Sequence, residues 1–387
     1  MDIQNMELRK FVAPELVFGL DARLLAGRYA KNFGAQKVLI VSDQGVINAG
    51  WLDGILHVLE TEGISYEIYR DVTPNPKEED VIKGAELYKD EECDAVVALG
   101  GGSALDCAKG IGIVSSHNRG ILEFEGVDKV YNPIPPLICI PTTAGSSADV
   151  SQFAIIRDQK RKVKISIISK AVVPDVALID PITTTTMDNY LTACTGLDAL
   201  THAIEAYVSN ASSPLTDTHA LNAIRLIWSS LAKTICNPND LGLRGNMMLG
   251  SLEAGLAFSN ASLGAVHAMA HSLGGFLDLS HGECNAVLLD HVVDFNFDAE
   301  PLRYQRIGEA MGINFSRMTR LEKKTAVIHE LKHLKESIGI DHTLRQIGVK
   351  ESDILQLSKN AMEDSCIVTN PCRPDQEDIG EIFRNAL

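Results

Sequence analysis

The sequence predicts two architectures in series: an α/β first half built on a parallel sheet, and an all-α second half. Three observations carry this. Short β-branched runs alternate with helical stretches as far as residue 180, a charged turn splits residues 153–168 into two strands, and strand signals stop after residue 186.

The parallel strands are VLIVS (38–42), SYEIY (65–69), AVVAL (95–99), LICI (137–140) and VALI (176–179). Helical patterns at 46–62, 77–91 and 103–116 lie between them. Continuous apolar strands separated by helices imply a sheet covered on both faces. FAIIRDQKRKVKISII (153–168) instead reads as an antiparallel hairpin. Beyond residue 186 the periodicity is helical, interrupted at NASSP (210–214), CNPND (236–240) and TNP (369–371). The expected division is therefore a dinucleotide-binding α/β domain over 1–185 and a helical metal-binding domain over 186–387. DPITTTTMDNY (180–190) is the expected hinge, and a ligand cleft is expected between the domains.

A chain of 387 residues is long enough for two domains, and 45% hydrophobic with 22% charged residues is ordinary globular composition. The net charge of −16 repels phosphate backbones, so nucleic acid is not an expected partner. Any anionic ligand must be held by backbone donors and a few lysines. No apolar run approaches the ~18 residues needed to cross a bilayer. The opening MDIQNMELRKFVAPE has no basic stretch followed by an apolar core, so no leader is expected. Eight scattered cysteines without a CxxC pair read as reduced thiols in a cytoplasm, several of them in the core.

The strongest local signal is DAVVALGGGSALDCAKG (94–110). A buried strand runs into Gly100, Gly101 and Gly102, and a helix follows. Ser103 suits its N-cap, and Asp106 lies three positions on, close to a capping box. Glycines let a phosphate approach the main chain, and the helix start offers unpaired N–H groups and a positive dipole end. A tight strand–helix turn is the plain alternative. Asp43 ends the first strand, where a carboxylate can accept both ribose hydroxyls and would repel the 2′-phosphate of NADP; it equally suits a helix cap. A third turn, ICIPTTAGSSADVS (138–151), offers the hydroxyls of Thr142 and Thr143 and the backbone of Gly145 to Ser147. The acid precedes the glycines, and no GxGxxG is present, so the domain is Rossmann-like but non-standard.

In the second half, GLDALTHAIEA (196–206) puts Asp198 and His202 on one helix face at i, i+4. GAVHAMAHSLGG (264–275) does the same with His267 and His271, and His281 follows in LSHGECN. Five candidate ligands exceed the three or four that a catalytic metal takes. One carboxylate among imidazoles suits Fe(II), Zn(II), Mn(II) or Co(II) and suits calcium poorly. His57, His117, His219, His329, His333 and His342 lack such company and read as structural or solvated.

Across nearly its whole length the chain resembles the iron-containing (group III) alcohol dehydrogenases, within the wider group that includes glycerol dehydrogenase and dehydroquinate synthase. GGGSALDCAK, PTTAG, GLDALTHAIEA, GAVHAMAHSLGG with the following HG, and TNP carry the resemblance, in that order. It implies that Asp198, His202, His267 and His281 bind the metal, with iron expected and zinc or another divalent first-row ion as substitutes. His271 is implied to stand beside the substrate. Asp43, Asn75, Gly100 to Ser103, Asp106, Thr142, Thr143, Ser151 and Lys164 match cofactor positions. One departure stands out: the family follows PTTAG with a Thr-Gly-Ser-Glu-like run, whereas here Ser146, Ser147, Ala148 and Asp149 follow, losing a glycine and shortening the acid.

The expected function is metal-dependent hydride transfer between NAD(H) and a small primary alcohol or aldehyde, by a cytoplasmic homodimer or larger homo-oligomer. Two rivals are set against it. A lyase of the dehydroquinate synthase kind, recycling NAD, needs a basic pocket, and residues 198–281 hold no dense Lys/Arg cluster. A non-catalytic sensor could keep the fold, but would leave the ligand and glycine positions free to drift.

Overall fold

A computed structural model describes residues 8–387; the first seven residues of the opening segment read for a leader lie outside it. In chain order the first half comprises β1 (Glu15–Phe18), α1 (Ala26–Asn32), β2 (Lys37–Val41), α2 (Gln44–Asn48), α3 (Trp51–Thr61), β3 (Ser65–Tyr69), α4 (Glu78–Asp90), β4 (Ala95–Gly100), α5 (Gly102–His117), β5 (Gly126–Val127), β6 (Leu137–Pro141), β7 (Phe153–Asp158), β8 (Val163–Ile168) and β9 (Val176–Ile179). The second half is helical: α6 (Asn189–Val208), α7 (Pro214–Cys236), α8 (Leu241–Ala261), α9 (Ala265–Leu277), α10 (His281–Asn296), α11 (Pro301–Ala310), α12 (Arg320–Ser337), α13 (Ile354–Glu363) and α14 (Gln376–Asn385).

Six strands form a parallel sheet in the order β1-β9-β6-β4-β2-β3. Successive side chains of β2 feed opposite cores, as continuous apolar strands require. Val38 and Ile40 pack with Ile55 and Leu59, while Leu39 and Val41 pack with Leu105 and Ile111. The chain leaves β2 for β3 on one side and returns as β4 on the other. Order reverses there, which opens a crevice above the carboxyl ends of β2 and β4. The predicted hairpin is β7 with β8, antiparallel, and β5 adds a parallel third strand.

Two local expectations give way, and one strand is not among those expected. The helix expected at 46–62 divides into α2 and α3, because Gly50 takes a left-handed conformation (φ 83°). Helix α5 starts one residue early, with Gly101 as N-cap and no side-chain cap. Ser103 is therefore inside the helix and forms no capping box with Asp106. Strand β1 carries only four residues and exists by pairing with Val176–Ile179, a partner about 160 residues away that no local pattern announces.

The helical half buries an apolar core running from α6 to α14. The 3-10 turn Pro181–Thr186 joins the halves, and Thr183 ties it back to the sheet by donating to the Pro141 carbonyl (2.9 Å). No helix among the described residues is long and apolar enough to cross a membrane.

Candidate active site

The loops after β2, β4 and β6 meet the N-terminal ends of α9 and α10 across a cavity of about 810 Å³. Its volume falls in the range of small-molecule sites. Asp43, Asn75, Gly101, Gly102, Ser103, Asp106, Thr142, Thr143, Ser151 and Lys164 all line it, and so do Asp198, His202, His267, His271 and His281.

At the sheet end main-chain donors stand open beside polar side chains. The Gly101 carbonyl accepts from the Ala104 and Leu105 N–H groups, so the amides of Gly102 and Ser103 open the helix with no partner inside it. A Cβ on Gly102 would stand 2.7 Å from that of Ser146, and one on Gly101 would stand 3.1 Å from Thr143 Cγ2. The glycines thus bring the second loop against the third as well as baring the helix start. Gly100 differs from the others: it ends β4, does not line the cavity, and makes room for Ala104 and the Asp43 carboxylate. Asp43 Oδ1 accepts from Val46 N at 3.0 Å, so this acid caps α2 and faces the cavity at once. Asn75 donates across the cleft to Asp278 Oδ1 (3.0 Å) and to the Leu279 carbonyl (3.2 Å). Buried Lys109 donates to the carbonyls of Ser151 (2.9 Å) and Phe153 (2.7 Å), fixing the start of β7. Burial pushes the Asp106 carboxyl up to about 7, against the opposing pull of Lys109, the Ile155 N–H, Lys164 and His271. Burial likewise lowers Lys164.

At the helical end the groups are side chains. One ligand atom from each of Asp198, His202, His267 and His281 lies within 4.8 Å of the others. Three elements supply them: α6 gives the first pair one turn apart, α9 the third and α10 the fourth. Burial pushes His202 down to about 3 and holds His267 and His281 well below the usual imidazole range. Neutral imidazoles present lone pairs, which is the state a metal takes. His202 Nδ1 and His281 Nδ1 are buried without partners. One carboxylate and three neutral imidazoles form a donor set that fits a divalent first-row cation.

His271 stands apart from that set. Its Nδ1 pairs with Asp364 Oδ2 at 2.8 Å, and its ring stacks on His281 with centroids 5.2 Å apart. Burial would raise the Asp364 carboxyl, but His271 and the Cys366 N–H outweigh it and hold it below its ordinary value. Phe258 stacks on His202 at 4.3 Å and meets Phe153 edge-on, giving the metal end an apolar wall.

Comparison with known proteins identifies the family. The family described as iron-containing alcohol dehydrogenase matches residues 13–181, and the C-terminal part of the Fe-containing alcohol dehydrogenase family matches residues 192–387. The chain belongs to the iron-containing alcohol dehydrogenases. It is 41% identical to the 1,3-propanediol dehydrogenase of Citrobacter freundii over 96% of both chains. It is 38% identical to the NAD-dependent methanol dehydrogenase of Bacillus methanolicus, covering 97% of this chain and 99% of that one. A solved alcohol dehydrogenase from Oenococcus oeni superposes with a TM-score of 0.95 at 36% identity, over 98% of this chain and 100% of that one.

In this iron-type dehydrogenase the departure after PTTAG is absorbed locally. Ser147 keeps the left-handed backbone of a glycine (φ 51°), and its hydroxyl donates to the Ser251 carbonyl at 2.7 Å. Asp149 is buried away from the cavity, so the shortened acid does not face the ligand space; Ser146 and Ala148 do.

The sequence reading missed a second layer of residues. Glu205 lies one turn beyond His202 and accepts from Val266 N (2.7 Å) and from His267 Nδ1–H (2.6 Å). Burial pushes it up to about 7, opposed by backbone N–H groups. Asn285, one turn after His281, reaches the ligand cluster. Both stand at helical spacing from a ligand, a signal present in the sequence. Asp364, 93 residues beyond His271, left none. His329 and His333 form an i, i+4 pair that also escaped notice. Their rings stack 6.4 Å apart on the exposed face of α12, and among the described residues they join no group of three or more metal-ligating side chains.

Proposed function

We propose that the chain transfers a hydride between NAD(H) and a small primary alcohol or its aldehyde. The observation that carries this reading is the single cavity shared by a phosphate-type helix start and a four-atom metal cluster. The relatives named above support the same chemistry.

The amides of Gly102 and Ser103 and the dipole of α5 receive the pyrophosphate without any arginine, as an acidic protein needs. Asp43 takes the ribose hydroxyls and disfavours a 2′-phosphate, so NAD is preferred to NADP. Asn75, Thr142, Thr143, Ser151, Lys164 and Asp106 line the remaining path toward the metal end. Asp198, His202, His267 and His281 hold the cation, with Fe2+ expected and Zn2+, Mn2+ or Co2+ as alternatives. The two groups supply, when bound, Lewis acidity toward the substrate oxygen and a hydride acceptor. Phe153 and Phe258 keep water from the reacting carbon and leave room for a short, uncharged chain. His271 commits Nδ1 to Asp364, which leaves Nε2 as the atom that passes the substrate proton toward solvent.

The apolar edge strand β1, with Leu16 and Phe18 exposed and Leu20 exposed just beyond it, favours a homodimer or larger assembly. Eight unpaired cysteines favour a cytoplasmic setting. Of the basic side chains lining the cavity, Arg157 is engaged by Asp278 and burial lowers Lys164, which disfavours the doubly anionic substrate of a lyase.

Purified protein given ferrous ion, NAD and a panel including ethanol, 1-butanol and 1,3-propanediol should release NADH in proportion to alcohol oxidised. No NADH with any alcohol, and no consumption of NADH with any aldehyde, rejects the proposal. Substrate turnover without net NADH would point to the lyase.

A further inference from the structure

Asn285 is fully buried on α10. Its Nδ2 lies 2.6 Å from Asp198 Oδ1, 3.1 Å from His267 Nε2 and 3.3 Å from His281 Nε2. One amide nitrogen therefore faces an atom of three of the four residues assigned above to the metal. As metal ligands, each of those atoms must present a lone pair. Asp198 is a carboxylate, and His267 commits its Nδ1 hydrogen to Glu205, which leaves Nε2 a bare lone pair. The other end of the amide, Asn285 Oδ1, is buried with no partner at all. Leaving a buried carbonyl unpaired costs about 1–3 kcal/mol. Turning the amide over would instead aim its oxygen at a carboxylate and two lone pairs, which is worse.

We propose that Asn285 is a positioning residue that takes the part of the cation in the metal-free protein. Its NH2 group holds Asp198, His267 and His281 converged, so that the site is assembled before metal arrives. Converged lone pairs repel one another, and a neutral donor among them offsets this without adding a charge. Two hydrogens cannot satisfy three acceptors, so the arrangement stays poised for an ion. An imidazole nitrogen has one lone pair and must give up its amide contact to a metal. A carboxylate oxygen has two, so the Asn285–Asp198 bond is compatible with both states and keeps the carboxylate oriented in each. This inference rests on the metal assignment made above.

The test measures Zn2+ binding by competition with a chromophoric chelator and thermal unfolding of the metal-free protein, neither of which requires turnover. Wild type should take one Zn2+ per chain. Asn285→Ala should bind about 10–100-fold more weakly, the usual cost of removing a partner that orients a ligand. Asn285→Ser serves the same comparison should the alanine variant not fold. Asn285→Asp places a carboxylate against Asp198. Its metal-free form should melt below that of Asn285→Ala, and Zn2+ should raise its melting temperature by more than it raises that of wild type. A residue that merely fills space in α10 would lower stability equally with and without metal. Zn2+ affinity in Asn285→Ala within twofold of wild type, or a metal-free Asn285→Asp as stable as Asn285→Ala, overturns the proposal. A wild type that takes up no Zn2+ overturns the metal site itself, a result distinct from either of these.

Discussion

The two ends of the cavity solve the same problem with different parts of the chain. At the sheet end backbone amides at the start of α5 border the cavity, beside side chains such as Asp43 and Lys164. At the helical end the candidate groups are side chains alone, from α6, α9 and α10, and three of them have another side chain behind them: Glu205 behind His267, Asp364 behind His271, Asn285 beside Asp198. A backbone donor is fixed by the helix it belongs to. A side-chain ligand has rotamers to lose and must be held by a partner. The first end should therefore tolerate changes of side-chain chemistry but not of loop space, and the second should tolerate neither.

The largest test of this contrast is His267→Ala. Metal content should fall from one ion per chain to under about a tenth, and NADH production should drop by about a thousandfold or more. Elemental analysis beside an initial-rate assay checks both, and retained metal would break the comparison. Next comes Glu205→Gln, which leaves all four ligands in place. Zn2+ affinity should weaken by about 10–100-fold in chelator competition, whereas unchanged affinity would mean that side-chain ligands here need no backing.

The sheet end is probed by a matched pair. Gly102→Ala pushes a methyl to within 2.7 Å of Ser146 Cβ and forces the two loops apart. NAD binding should weaken by about tenfold, or about 1.4 kcal/mol, in a fluorescence titration. Ser103→Ala keeps the amide and should change NAD affinity by less than about twofold. Equal effects from both substitutions would show that the hydroxyl, not the backbone, holds the cofactor. The smallest effect concerns the altered loop. Ser147→Ala keeps the left-handed backbone but loses the bond to Ser251, costing about 1 kcal/mol. Ser147→Gly loses the same bond and relieves the backbone, so chemical denaturation should place it within about 0.5 kcal/mol of wild type.

The legibility of these regions in the sequence follows the same division. The glycine run and the Thr142–Thr143 loop each follow a buried strand, so local pattern placed them at strand ends, and a parallel sheet gathers strand ends at one edge. Four of the five metal candidates, Asp198 with His202 and His267 with His271, stand out as i, i+4 pairs because α-helix geometry puts such residues on one face, and His281 follows ten residues later. Spacing alone could not separate His271 from the other four; the resemblance to the family did so, and in the fold His271 turns its Nδ1 to Asp364. That partner comes from a turn after α13, and nothing near residue 364 distinguishes it from an ordinary helix-capping aspartate.

By itself, then, the sequence determined the alternation of strands and helices, the change to a helical half, the hairpin at 153–168 and the chemical types at both ends of the cavity. These depend on period, turn chemistry and spacing, which act within a few residues. Only the tertiary structure decided that β1 pairs with β9, that Gly100 serves packing while Gly102 faces the cavity, and that Asn285 points its nitrogen into the ligand cluster. Those outcomes depend on which distant surfaces are pressed together, and a backbone hydrogen bond or a buried amide takes its orientation from the neighbour it meets.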